Sequence, residues 1–116
     1  MIPDVETTCK EILAEIRSIS FSTPSSVNEL FFSAERLRGH LAYLGGPKLD
    51  AEQLYRQKIL YHIEDGMSVA KAEAYAKAGK KYKDWKKIEM VFNSAESQIL
   101  LLKKFKEDLA MEFNQS

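Results

Sequence analysis

Apolar residues recur along this chain three and four positions apart, and nowhere settle into the two-residue alternation of a strand. The run from Lys80 to Phe113 carries the pattern furthest. Trp85, Ile88, Phe92, Ala95, Ile99 and Leu102 mark the seam of a helix lying lengthwise on another helix. Past Leu102 the seam widens into a second row, Leu101, Phe105 and Leu109, and Ile99 to Leu102 place apolar side chains all round the helix. No Pro or Gly interrupts the run. At ~1.5 Å per residue it reaches roughly 50 Å, more than a domain of this size is wide. A small monomer cannot bury such a helix on every side. The pattern predicts a homo-oligomer with Ile99, Leu100, Leu101, Leu102 and Phe105 at the interface.

Four earlier segments read as helices too. The first begins at Ile2-Pro3-Asp4, with Asp4 or Thr7 as cap, and carries Val5, Cys9, Ile12, Leu13, Ile16 and Ile19 inward. After the break Ser20 to Ser26, Ser26 and Glu29 form a capping box for the second. Its stripe is Val27, Leu30, Phe31, Ala34, Leu37, Leu41 and Leu44, and Gly45-Gly46-Pro47 is expected to stop it. The third starts at Asp50, with Gln53 in the capping-box position, and ends at Gly66. Ser68 caps a short fourth helix, with Val69, Ala72, Tyr75 and Ala76 on its apolar side and Ala78-Gly79 at its close. The expectation is an all-α, single domain over 1–116: a bundle of about five helices with a long C-terminal amphipathic helix.

Composition alters this picture in one place only. The 116 residues include 17 basic and 17 acidic side chains, so net charge predicts no polyanionic partner. The distribution is uneven. Residues 1–70 carry seven Lys/Arg against ten Asp/Glu, residues 71–87 seven Lys against Glu73 and Asp84, and residues 88–116 three Lys against five acids. The middle stretch is therefore +5. There Lys77, Lys80, Lys81, Lys83, Lys86 and Lys87 surround Tyr75, Tyr82 and Trp85. Lysines can hold phosphates and aromatic rings can take bases. On a helix Lys80, Lys83 and Lys87 share a face. The competing reading is a solvated lysine face, with Trp85 and Tyr82 opening the apolar seam.

Other candidate chemistry is sparse. Cys9, the one cysteine, sits on the apolar stripe with no local base and reads as a buried core thiol. His62 reads as structural, since zinc needs three or four converging ligands, and His40 as a surface residue near a helix end. Glu11, Glu15, Glu35 and Glu64 read as exposed helix charges. No phosphate loop, paired cysteines or HExxH pattern occurs, so no catalytic residue, metal or cofactor is expected. No apolar run approaches the ~20 residues of a membrane span. A lone thiol without a signal peptide fits a reducing, cytoplasmic setting.

The stretch from Glu64-Asp65-Gly66 through Val69-Ala70-Lys71-Ala72-Glu73 to Tyr82-Lys83-Asp84-Trp85 carries a resemblance. This order of helix, acidic-Gly turn, short helix and long final helix resembles small helical proteins of phage recombination gene clusters. Those are similar to T4-type recombination mediators of the UvsY family. The resemblance covers roughly residues 50–110 and rests on Ala, Glu and Lys. It implies a non-enzymatic oligomer that binds single-stranded DNA and helps load a recombinase, with Lys71, Lys77, Lys80, Lys81 and Lys83 at the DNA surface. Lys87 joins them from the charge pattern. The alternative is an oligomeric helical adaptor, inhibitor or regulator acting through protein surfaces alone, without nucleic acid.

Overall fold

A computed structural model of the chain describes residues 4–20 and 27–115. Among them there are four α-helices and no strand: α1 (Val5–Ser20), α2 (Val27–Glu64), α3 (Val69–Lys77) and α4 (Lys80–Gln115). The all-α expectation is met, with four helices in place of five. The difference is α2, which continues as helix through Gly45-Gly46-Pro47.

A proline inside a helix removes one backbone donor and crowds the carbonyl four residues back, at a cost of ~3 kcal/mol. The helix nonetheless continues through Pro47. Leu44 is fully buried just before Pro47 and Tyr55 is buried two turns after it. Neither Gly45 nor Gly46 takes the positive φ of a helix-terminating glycine. Gly66 does, with φ +97°. There Gly66 N–H donates to Ile63 O at 3.0 Å and Met67 N–H to His62 O at 3.1 Å, the paired bonds of a Schellman cap. Asp50 and Gln53, expected as the cap of a third helix, thus stand in the interior of α2.

The remaining boundaries follow local chemistry. Ser68 caps α3 by accepting from Lys71 N–H at 3.3 Å, and Gly79 N–H closes the turn onto Ala76 O at 3.1 Å. At α1, Asp4 Oδ1 accepts from Glu6 N–H at 3.4 Å, a long capping bond. Ile2, Pro3 and the expected Ser26 cap lie outside the described residues.

The chain divides into two compact units, Met1–Leu44 with Val91–Ser116, and Gly45–Met90. In the first, α1 buries Thr8, Cys9 and Ile12, α2 buries Leu30, Ser33, Ala34, Leu37 and Leu44, and α4 buries Val91, Ala95, Gln98 and Leu102. Val91 and Gln98 are more deeply buried than their expected neighbours Phe92 and Ile99, which are half-buried. Ala95 and Leu102 are buried as expected, and Val91 and Gln98 complete a three-and-four spacing with them, so the seam keeps its period and takes the other neighbour at two places. In the second unit Tyr55, Ala76 and Trp85 form the core, with Ala51, Ile59 and Tyr82 packed against it.

Candidate nucleic-acid interface

The second unit carries the lysine-rich stretch, and its core decides what the aromatics there can do. Trp85 is 9% exposed. Its indole stacks on Tyr55, with centroids 5.3 Å apart and planes 21° from parallel. Lys86 Nζ lies 4.3 Å from the Trp85 ring centroid and pairs with Glu89 at 3.0 Å. The hydrogen bond from Lys86 to Glu89 raises the ammonium's pKa above its ordinary value, overcoming a smaller opposing effect of desolvation. With its ring stacked on a tyrosine and approached by an ammonium, Trp85 is core rather than a platform for bases. Tyr82 is half-buried against the same pair, 5.0 Å from Tyr55 and 6.0 Å from Trp85.

The expected lysines are all at the surface. Lys71, Lys77, Lys80, Lys81, Lys83 and Lys87 are exposed, and among the described residues none of the six joins an ion pair. Since α4 is helical from its first residue, Lys80, Lys83 and Lys87 stand in one row at spacings of three and four, opposite Trp85. Lys81 is off that row. On α3 the buried side narrows to Ala72 and Ala76, because Val69 and Tyr75, expected inward, are more than half exposed. Lys71 and Lys77 flank that alanine side and lie about 120° apart around α3, at 100° per residue.

Of the residues expected at an oligomer interface, Leu102 is buried within the chain and Ile99 is half-buried. Leu100, Leu101 and Phe105 remain exposed at 68%, 47% and 49%. Leu109's side chain lies outside the described residues.

One polar cluster departs from the sequence expectation. Glu15, expected as an exposed charge, is half-buried on α1 and accepts from Ser33 Oγ and from Arg36 Nε and Nη2 at 3.1 and 2.7 Å. Burial pushes its carboxyl pKa up, but the hydrogen bonds from Arg36 and Ser33, with the charges of Arg36 and His40, outweigh it and leave the pKa lowered. His40, expected near a helix end, is in mid-helix with Nδ1 3.7 Å from Glu11 Oε2. Glu11 and Glu15 are one turn apart on α1, and Ser33, Arg36 and His40 follow one face of α2, but nothing local in the sequence brings those two faces together. The cluster ties α1 to α2, and the Glu15 carboxylate is already taken up by its partners. Among the described residues no group of three or more His, Cys, Asp or Glu could hold a metal ion, and no helix is long and apolar enough to cross a membrane.

In comparisons with known proteins, no family model, no curated protein and no solved structure matches this chain.

Proposed function

We propose that this chain is a non-enzymatic, cytoplasmic accessory protein of phage-type DNA recombination that binds single-stranded DNA without sequence preference. In this reading it works as an oligomeric helical bundle, and a recombinase is its protein partner. The observation that carries it is the contrast among neighbouring lysines. Lys86 is taken up by Glu89 and the core rings, whereas Lys71, Lys77, Lys80, Lys81, Lys83 and Lys87 are exposed within 17 residues that hold only two acids. Like charges gathered at this density repel one another, and a phosphate backbone relieves that repulsion while releasing its own counterions.

The test is anisotropy of a labelled oligonucleotide titrated with protein across a salt series. Lys80→Ala and Lys83→Ala are each expected to weaken binding equally for all sequences and to reduce the salt slope by roughly 0.7 for each phosphate left without its ammonium. Wild-type protein that ignores oligonucleotides at low salt ends the reading.

A second reading has its own support. Leu100, Leu101 and Phe105, exposed on α4, suit an adaptor that acts through protein surfaces alone. It predicts binding to a protein partner and none to an oligonucleotide.

A further inference from the structure

Within Gly45–Met90 three rings follow one another outside the core. Tyr61 and His62, in the last turn of α2, meet edge to face with centroids 5.7 Å apart and planes at 67°. His62 then meets Tyr75 of α3 at 6.0 Å, tilted 49°. Tyr61 is 59% exposed and Tyr75 55%. A single exposed ring is ordinary on a protein surface. A series of three that leaves both outer rings mostly in water gains little for folding and calls for another account.

The geometry separates these rings from the core aromatics. Tyr55 and Trp85 are stacked, so each covers a face of the other. In an edge-to-face or tilted contact the edge of one ring meets the face of the other, so Tyr61 and Tyr75, each with His62 as its one ring neighbour among the described residues, have at most one face against it. Tyr75 directly precedes buried Ala76, so its ring leaves the buried side of α3 and is mostly exposed.

Cations flank the series. Lys58 Nζ lies 5.1 Å from the Tyr61 ring centroid. Lys71 stands one turn before Tyr75 on the same face of α3 and is exposed. Among the described residues neither ammonium pairs with a carboxylate. Open ring faces between ammonium groups match the alternation of base and phosphate along a single strand.

We propose that Tyr75 and Tyr61, with His62 between them, form a base-stacking surface for single-stranded nucleic acid, with Lys58 and Lys71 holding the flanking phosphates. This inference rests on the nucleic-acid reading above and moves the stacking role from Trp85 to rings that the core does not use. Tyr75 takes the principal base, since Lys58 already lies over Tyr61. His62 lies in ring contact with both tyrosines.

The experiment compares a labelled oligothymidine with an abasic backbone of equal length, both titrated with the full chain at low salt. Wild type is expected to bind the oligothymidine more tightly than the abasic strand. Tyr75→Leu should lose roughly tenfold in affinity for oligothymidine, and Tyr61→Leu somewhat less, while abasic binding and the salt slope stay at wild-type values. Tyr75→Phe, which keeps the ring, should restore tight binding. Both tyrosines are mostly exposed, so the helical circular-dichroism signal should survive each change. If wild type binds both strands equally, or if both leucine variants bind oligothymidine as wild type does, the stacking surface is overturned and the phosphate-binding reading stands. If wild type binds neither strand, both readings fall.

Discussion

Replacing Trp85 by alanine tests most directly how the second unit is built. The side chain is 9% exposed, and large aromatic residues bury about 150–250 Å². At ~25 cal/mol per Å² that burial contributes roughly 4–6 kcal/mol as an upper bound, since the unfolded chain already hides part of its surface. The alanine methyl recovers little of it, and the neighbours collapse only partly into the space. We expect Trp85→Ala to cost about 3–5 kcal/mol. Against the ~5–15 kcal/mol that holds a domain together, this is a large fraction. Trp85→Phe should cost less, because the indole Nε1 is buried with no acceptor among the described residues, and phenylalanine removes that donor.

The assay is urea unfolding followed by circular dichroism, because the alanine variant lacks the chain's one tryptophan. Tyr55→Ala and the double variant complete a cycle, and the stacked pair should couple by about 0.5–1.5 kcal/mol. A Trp85→Ala loss under ~1 kcal/mol would refute the core assignment, decisively so if oligonucleotide binding fell while the fold held.

Two further outcomes follow from the first unit and from α2. Glu15→Gln should cost about 1 kcal/mol at neutral pH, a value discounted for the 57% exposure of the Arg36 side chain. Because the Glu15 pKa is lowered in the fold, its contribution is present above the unfolded carboxyl value and is lost as pH falls through the folded one; acid titration of the Gln variant should therefore show a smaller fall in stability below pH ~4.3. Gly39→Ala, Gly45→Ala and Gly46→Ala should each stabilise by roughly 0.5–1 kcal/mol in thermal unfolding, since an added Cβ meets nothing within 4 Å at any of them. Gly66→Ala, at φ +97°, should destabilise; a loss of stability at Gly45 or Gly46 as well would mean that α2 ends there.

These glycines show where the sequence was legible and where it was not. Gly66 and Gly45-Gly46-Pro47 look like equal stop signals in the sequence, yet only Gly66 adopts the left-handed backbone that ends a helix. The difference is in the φ that each glycine takes, which the residue type leaves open because glycine populates both signs of φ. Helical class, the Ser68 cap and the start of α4 at Lys80 were readable because each depends on neighbours in the chain. The pairing of Glu15 with Ser33 and Arg36 was not, because it joins residues 18 and 21 positions apart. Trp85 was readable as core from its place on the seam. That Tyr55 would stack on it was not, since the pair joins residues 30 positions apart on different helices.

Along α4 the two functional readings fall on different segments, and salt acts on them in different ways. The exposed positions three and four apart run Lys80, Lys83, Lys87 and Met90, and later Leu101 and Phe105. Phosphate binding by three lysines gives a salt slope of about −2, so a fourfold rise in salt weakens it roughly 15-fold; six lysines give a slope near −4 and weaken it by several hundredfold. An apolar interface between copies through Leu101 and Phe105 involves no ion release and should persist or tighten over the same range. Light scattering and anisotropy on one salt series should therefore diverge, with the oligomer intact where DNA binding has gone. Leu101→Glu separates them further. At 47% exposure its effect on the fold of a monomer should stay within ~0.5 kcal/mol, whereas at a buried interface an unpaired carboxylate costs several kcal/mol and shifts the population to smaller species. A wild-type monomer at every salt concentration would refute the α4 interface, and would leave the lysines to bind a strand one copy at a time.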